Sequence, residues 1–73
     1  MDLRYAALIF EGYVITKVDD RTDYGEPRFV SLGLVKGEAF VVVHTKRGST
    51  NRIITAWKGG ERERRRYQAS IAG

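Results

Sequence analysis

Arg28, Arg47, Arg52, Arg64 and Arg65 carry permanent positive charge, and the planar guanidinium fork matches a phosphate better than an ammonium does. Arg47 and Arg52 flank a Gly-marked turn, and the run Arg62, Arg64, Arg65 and Arg66 extends the same charge. His44 is the one side chain that titrates near neutrality, and Tyr67 adds a phenol. Between the arginine groups lie Lys58 and Trp57, whose indole could stack a nucleobase for about 1 to 3 kcal/mol. Together these groups could hold a phosphate-bearing partner and move protons beside it. Each also has a plain structural reading. The arginine run is a solvated helix face, His44 a strand-end histidine satisfied by a backbone carbonyl, Tyr67 a helix anchor, and Trp57 a seal beneath the last helix. Glu61 and Glu63 stand three and four residues from Arg64, Arg65 and Arg66, and read as charge partners rather than bases.

The elements that must position these groups centre on residues 39–67. A strand over 39–45 is apolar on both faces through Val41, Val42 and Val43, as in mid-sheet. In that strand His44 shares a face with Phe40 and Val42. A second strand, 52–57, is β-branched and aromatic, and the six residues between the two include Gly48, Ser49 and Asn51, so a hairpin is expected. The helix that follows, 61–70, has Tyr67 and, just beyond, Ile71 as a narrow apolar stripe. Its burial would contribute on the order of 3 to 5 kcal/mol.

Upstream, Leu3, Ala6, Ala7 and Phe10 predict an amphipathic helix over 2–11, with Asp2 as N-cap and Gly12 as its end. Alternation predicts strands at 13–18 and 28–35. Residues 19–27 are turn chemistry with the only proline, and Lys36-Gly37 makes a tight connection. The plan is α+β: one domain over 1–73, an antiparallel sheet of about four strands, a short N-terminal helix and an Arg-rich C-terminal helix.

Composition narrows the function classes. Seventy-three residues sit near the lower limit for a core that offsets chain entropy, and there is no cysteine for a disulfide or a thiolate-bound metal. One histidine with scattered carboxylates does not make a metal site, and no cofactor loop is present. No apolar run reaches membrane-spanning length and no signal peptide pattern appears, so a cytoplasmic protein is expected. Residues 1–38 hold five Lys/Arg against seven Asp/Glu, net −2, and residues 39–73 hold eight against two, net +6. A concentrated positive half is an electrostatic footprint for polyanions.

Four segments together carry a family resemblance: Arg28-Phe29-Val30-Ser31-Leu32-Gly33, Val41-Val42-Val43-His44-Thr45 with Arg47-Gly48, Arg52-Ile53-Ile54-Thr55-Ala56, and Glu63-Arg64-Arg65-Arg66-Tyr67. In order and separation they resemble the BrnT family of bacterial toxins. The resemblance implies a RelE-like fold, a metal-independent endoribonuclease that halts translation, and an antitoxin with a ribbon-helix-helix portion. Operator DNA would be met only through that antitoxin. Three departures stand out. Family members carry a further strand and helix, ending Lys-His-Gly, ahead of the point where this sequence starts. An arginine is usual where this chain has Trp57. Lys46 replaces an acidic residue, and Gly59-Gly60 replaces Ala-Thr.

Metal-free RNA cleavage needs a base for the 2′-hydroxyl, cations at the scissile phosphate and an acid for the leaving oxygen. The expected catalytic set is Arg28, His44, Arg52, Arg64 and Tyr67. Arg47, Trp57, Lys58 and Arg65 would hold RNA. Two other readings remain open: a relative that only binds its antitoxin, and a nucleic-acid-binding module without activity.

Overall fold

Strand β3, Glu38–Arg47, is buried on both faces from Ala39 to Thr45, and the rest of the molecule is laid against it. The computed structural model describes residues 2–19, 25 and 27–72, the side chains of Arg47 and Asn51 excepted. In chain order come α1 (Leu3–Ala6), a 3-10 helix (Ala7–Glu11), β1 (Ile15–Val18), β2 (Phe29–Val35), β3, β4 (Thr50–Lys58) and α2 (Glu61–Ala72). The strands form an antiparallel meander in the order β1-β2-β3-β4, which is the expected α+β plan. Most of the loop expected at 19–27, namely 20–24 and 26, lies outside the described residues.

The β2–β3 connection is the two-residue turn predicted, with Lys36 at φ 51° and Gly37 at φ 79°, the conformation that matches strand twist. The β3–β4 hairpin is tighter than its sequence promised. Both strands continue until Arg47 faces Thr50, so two residues turn the chain where six were expected, with Gly48 at φ 59°.

The two helical segments cover opposite faces. On one, Ala6 and Ile9 pack on Val35, Phe40 and Val42, with Phe10, Val14, Ile53 and Ala56 around them. On the other, Tyr67 of α2 packs on Leu32, Ala39 and Val41. The expected N-terminal α-helix is cut short after one turn and tightens into 3-10 form. Its buried pair is therefore Ala6 and Ile9, three apart, rather than Leu3 with Ala7 and Phe10; Leu3 is exposed. That tightening seats Ile9 directly over Gly33, where a Cβ would come within 2.6 Å of the Ile9 Cβ. The strand expected from residue 13 starts at Ile15, because the Tyr13 carbonyl is taken by Tyr67.

His44 sits under the 3-10 helix. Its ring packs edge-on against Phe10 at 5.1 Å and beside Phe29 at 5.8 Å. Nε2 lies 2.7 Å from Ser31 Oγ, which in turn lies 2.7 Å from Thr16 Oγ1, while Nδ1 has no hydrogen-bond partner among the described residues. A buried orphan lone pair costs less than an orphan N–H, so the proton belongs on Nε2 and the chain of donors runs His44 to Ser31 to Thr16. Burial holds the imidazole below its ordinary value of 6.5.

Two predictions follow from this packing. Gly33→Ala forces the 3-10 helix off the sheet and should destabilise the fold by about 1 to 3 kcal/mol, read as a lower midpoint in urea; an unchanged midpoint would contradict the close contact. His44 is the only histidine, and it is protonated more readily in the unfolded chain. Its contribution to stability is present above 6.5 and lost as pH falls below it. Thermal melts from about pH 7.5 down to about pH 5.5 should show falling stability, and His44→Phe should flatten that slope.

Candidate nucleic-acid interface

α2 leaves part of its face of the sheet open, and a groove of about 650 Å³ lies there. Its floor is one cross-strand row, Ile15–Leu32–Val41–Trp57, running from β1 to β4. Lys17 and Val30 line it from the next row, and Val18 and Asp19 close it at the β1 edge. The opposite wall is a stripe of α2, Glu63, Arg66 and Ser70, spaced three and four apart beside Tyr67.

Local geometry holds that wall in place. Gly59 N–H donates to the Ala39 carbonyl at 2.8 Å, and Gly60 N–H donates to Glu63 Oε2 at 2.9 Å. Glu63 thus closes half a capping box around a glycine N-cap, a role for which it had not been singled out. Tyr67 is buried, and its hydroxyl donates to the Tyr13 carbonyl at 2.7 Å. Tyr13 also stacks edge-on against Tyr67 at 5.8 Å and meets Ser70 Oγ at 3.2 Å. Ile71 does not complete the expected stripe: it is 57% exposed, and Ser70 makes the contact at that turn.

A β-bulge decides which charges share this face. Val43 pairs with Thr55, but His44 pairs with Ile53, so Ile54 is left over and the alternation of β4 inverts. Arg52 therefore stands opposite Thr45, on the same side as Trp57. Continuing the β2 register by one residue sets Arg28 across from Thr45 as well, and Asp19 N–H donates to the Arg28 carbonyl at 2.8 Å. Arg28 and Arg52 thus make a row two rows beyond the groove floor, about 13 Å along the strands at 3.3 Å per residue.

Several expected site residues fall elsewhere. His44 belongs to the opposite face, walled off by Phe10 and Phe29, so it does not join the arginines. Without the bulge, His44 and Arg52 would have shared a face; the extra residue separates them. Lys58 stands opposite Phe40 on the α1 face and pairs with Glu38 at 2.6 Å. Arg64 and Arg65 are on the outer surface of α2 and pair with Glu61 at 3.6 and 3.4 Å, as the helical spacing predicted. Exposed pairs of this kind are worth about 0.3 to 0.5 kcal/mol, so a phosphate could displace them. The side chain of Arg47 lies outside the described residues.

Sequence reasoning passed over Lys17 and Arg66 as site residues. Both were recoverable: Lys17 follows Ile15 by two along a strand, and Arg66 is three from Glu63 on the stripe next to Tyr67. Among the described residues, no group of three or more His, Cys, Asp or Glu could hold a metal ion. Nor is any helix among the described residues long and apolar enough to cross a membrane.

No curated protein and no solved structure matches the chain. The family model described as ribonuclease toxin, BrnT, of type II toxin-antitoxin system matches residues 1–63 of the 73. Such a system pairs each toxin with an antitoxin. The sheet, its two helical covers and this match lead to one conclusion: the chain belongs to the BrnT family of type II ribonuclease toxins.

Proposed function

We propose that this chain is a metal-independent endoribonuclease that stops translation by cutting RNA, and that the RNA lies across the sheet face beside α2. The observation that carries this reading is that cations brought from separate parts of the chain lie on one face: Lys17 and Arg66 in the groove, with the Arg28 and Arg52 row beyond.

In the reaction, a base takes the proton of the 2′-hydroxyl, and that oxygen bonds to the adjacent phosphorus. The bond from phosphorus to the 5′-oxygen breaks, and the leaving oxygen takes up a proton. A 2′,3′-cyclic phosphate remains on one product. Arg66 and Lys17 stabilise the charge that grows on the phosphate oxygens, a contribution of about 10²- to 10³-fold for each well-placed donor, while Arg52 would hold a neighbouring phosphate of the strand. Asp19 and Glu63 are the proton acceptors that the groove itself offers. Tyr67 acts here as an anchor, because its hydroxyl is already donated to the Tyr13 carbonyl. The antitoxin, with its ribbon-helix-helix portion, would silence the enzyme by covering this same face.

Purified chain should cleave RNA in EDTA. Arg66→Ala and Lys17→Ala should each lower the rate by about 10²-fold while leaving the melting temperature nearly unchanged. Tyr67→Phe should lose about 0.5 to 1.5 kcal/mol of stability and keep its activity. His44→Phe should also keep cleaving, whereas a general base would cost about 10²- to 10⁴-fold. Cleavage that needs added Mg²⁺, or that survives Arg66→Ala and fails in His44→Phe, would overturn the proposal.

A further inference from the structure

We infer that Trp57 is a stacking platform for one unpaired nucleobase, which restricts the groove to single-stranded RNA; the inference rests on reading the groove as the RNA site. Trp57 ends the row whose other central members, Leu32 and Val41, are buried, yet it is itself 44% exposed. A tryptophan serving only as a seal would be covered by the helix above it. Here α2 sits over Leu32, Ala39 and Val41 through Tyr67, and Trp57 is left at the mouth of the groove.

The surroundings fit a nucleotide better than a purely apolar ligand. Arg66 stands on the α2 wall of the same groove, and Lys17 lies in the next row at the β1 end, three strands from Trp57, so the groove that holds the aromatic surface carries cations along its length. That pairing of a ring for the base with cations for the backbone is what single-strand binders use. About 650 Å³ lies within the range of roughly 300 to 1,000 Å³ typical of small-ligand sites, room for a base and its sugar. A duplex keeps its base faces stacked on one another and offers the indole only edges and backbone. The α2 wall also limits approach from above. Every base has a π-face, so the platform selects strandedness rather than sequence.

Trp57 is the only tryptophan, so its emission reports this position alone. The probe is a fully 2′-O-methyl oligonucleotide of about eight residues, which lacks the attacking hydroxyl and binds without being cut. The unmodified chain is titrated with it as a single strand and annealed to its complement, following tryptophan emission and the anisotropy of a label on the oligonucleotide. The single strand should quench Trp57 and bind at least about tenfold more tightly than the duplex. Trp57→Ala should lose about 5- to 150-fold in single-strand affinity, which is the 1 to 3 kcal/mol of a stacked base at 1.36 kcal/mol per decade. Trp57→Phe should restore most of it. Arg66→Ala should weaken binding yet leave the quenching at saturation intact. Binding without quenching, with Trp57→Ala unaltered or with duplex bound equally well, would overturn the platform and leave the RNA site standing. No binding of either form by the unmodified chain would overturn both.

Discussion

Burial of β3 on both faces is the constraint from which the remaining structure follows. A strand with Val41, Val42 and Val43 in succession cannot leave either face in water, so helical cover is required above and below. The chain has only two helical segments among its described residues, and each must take one face. The site is a by-product of that division. The 12-residue α2 crosses the sheet with one large apolar side chain, Tyr67, buried beneath it, and the uncovered remainder of that face is the groove. A helix with a wider apolar stripe would have closed the groove.

The two layers are not independent. The segment that leaves the 3-10 helix rounds the end of the sheet at Tyr13, and there its backbone carbonyl and hydroxyl receive Tyr67 and Ser70 of α2. The position of the groove wall thus depends on the cover of the other face. Close seating of Ile9 over Gly33 fixes the N-terminal layer, that layer fixes Tyr13, and Tyr13 fixes the middle of α2. The start of α2 is tied separately, by Gly59 to Ala39 and by the Glu63 cap. Gly59 is itself packed closely enough that a Cβ would meet Glu63 Cβ at 2.9 Å, which gives the glycine pair a positive role at the helix start.

Much of the fold was legible because local chemistry and tertiary demand agree. The doubly apolar 39–45 stretch and the Lys36-Gly37 turn each specify one outcome, and the structure has it; the family motifs agree with the family match over residues 1–63. The first helix lies where it was expected, but its second half packs at a period of three where a 3.6 period was read. The lone Ile71 was assigned to the core because its spacing from Tyr67 is right. Spacing places it on the same stripe, but nothing in it says how far the sheet extends beneath.

The candidate site was less legible, and the reason is a single inserted residue. Alternation read straight along β4 puts Arg52 with Ala56 and Lys58, on the side of His44, and makes a histidine-arginine site look natural. Leaving Ile54 unpaired turns the chain by one register step and carries Arg52 to the side of Trp57. No residue type at 53–55 announces this: Ile-Ile-Thr is as good a regular strand as a bulged one. With the bulge, Ile53 packs on the α1 face and Arg52 turns to the other. That one-residue offset sets which face carries Arg52, which is why the positive charge could be anticipated from composition while its location could not.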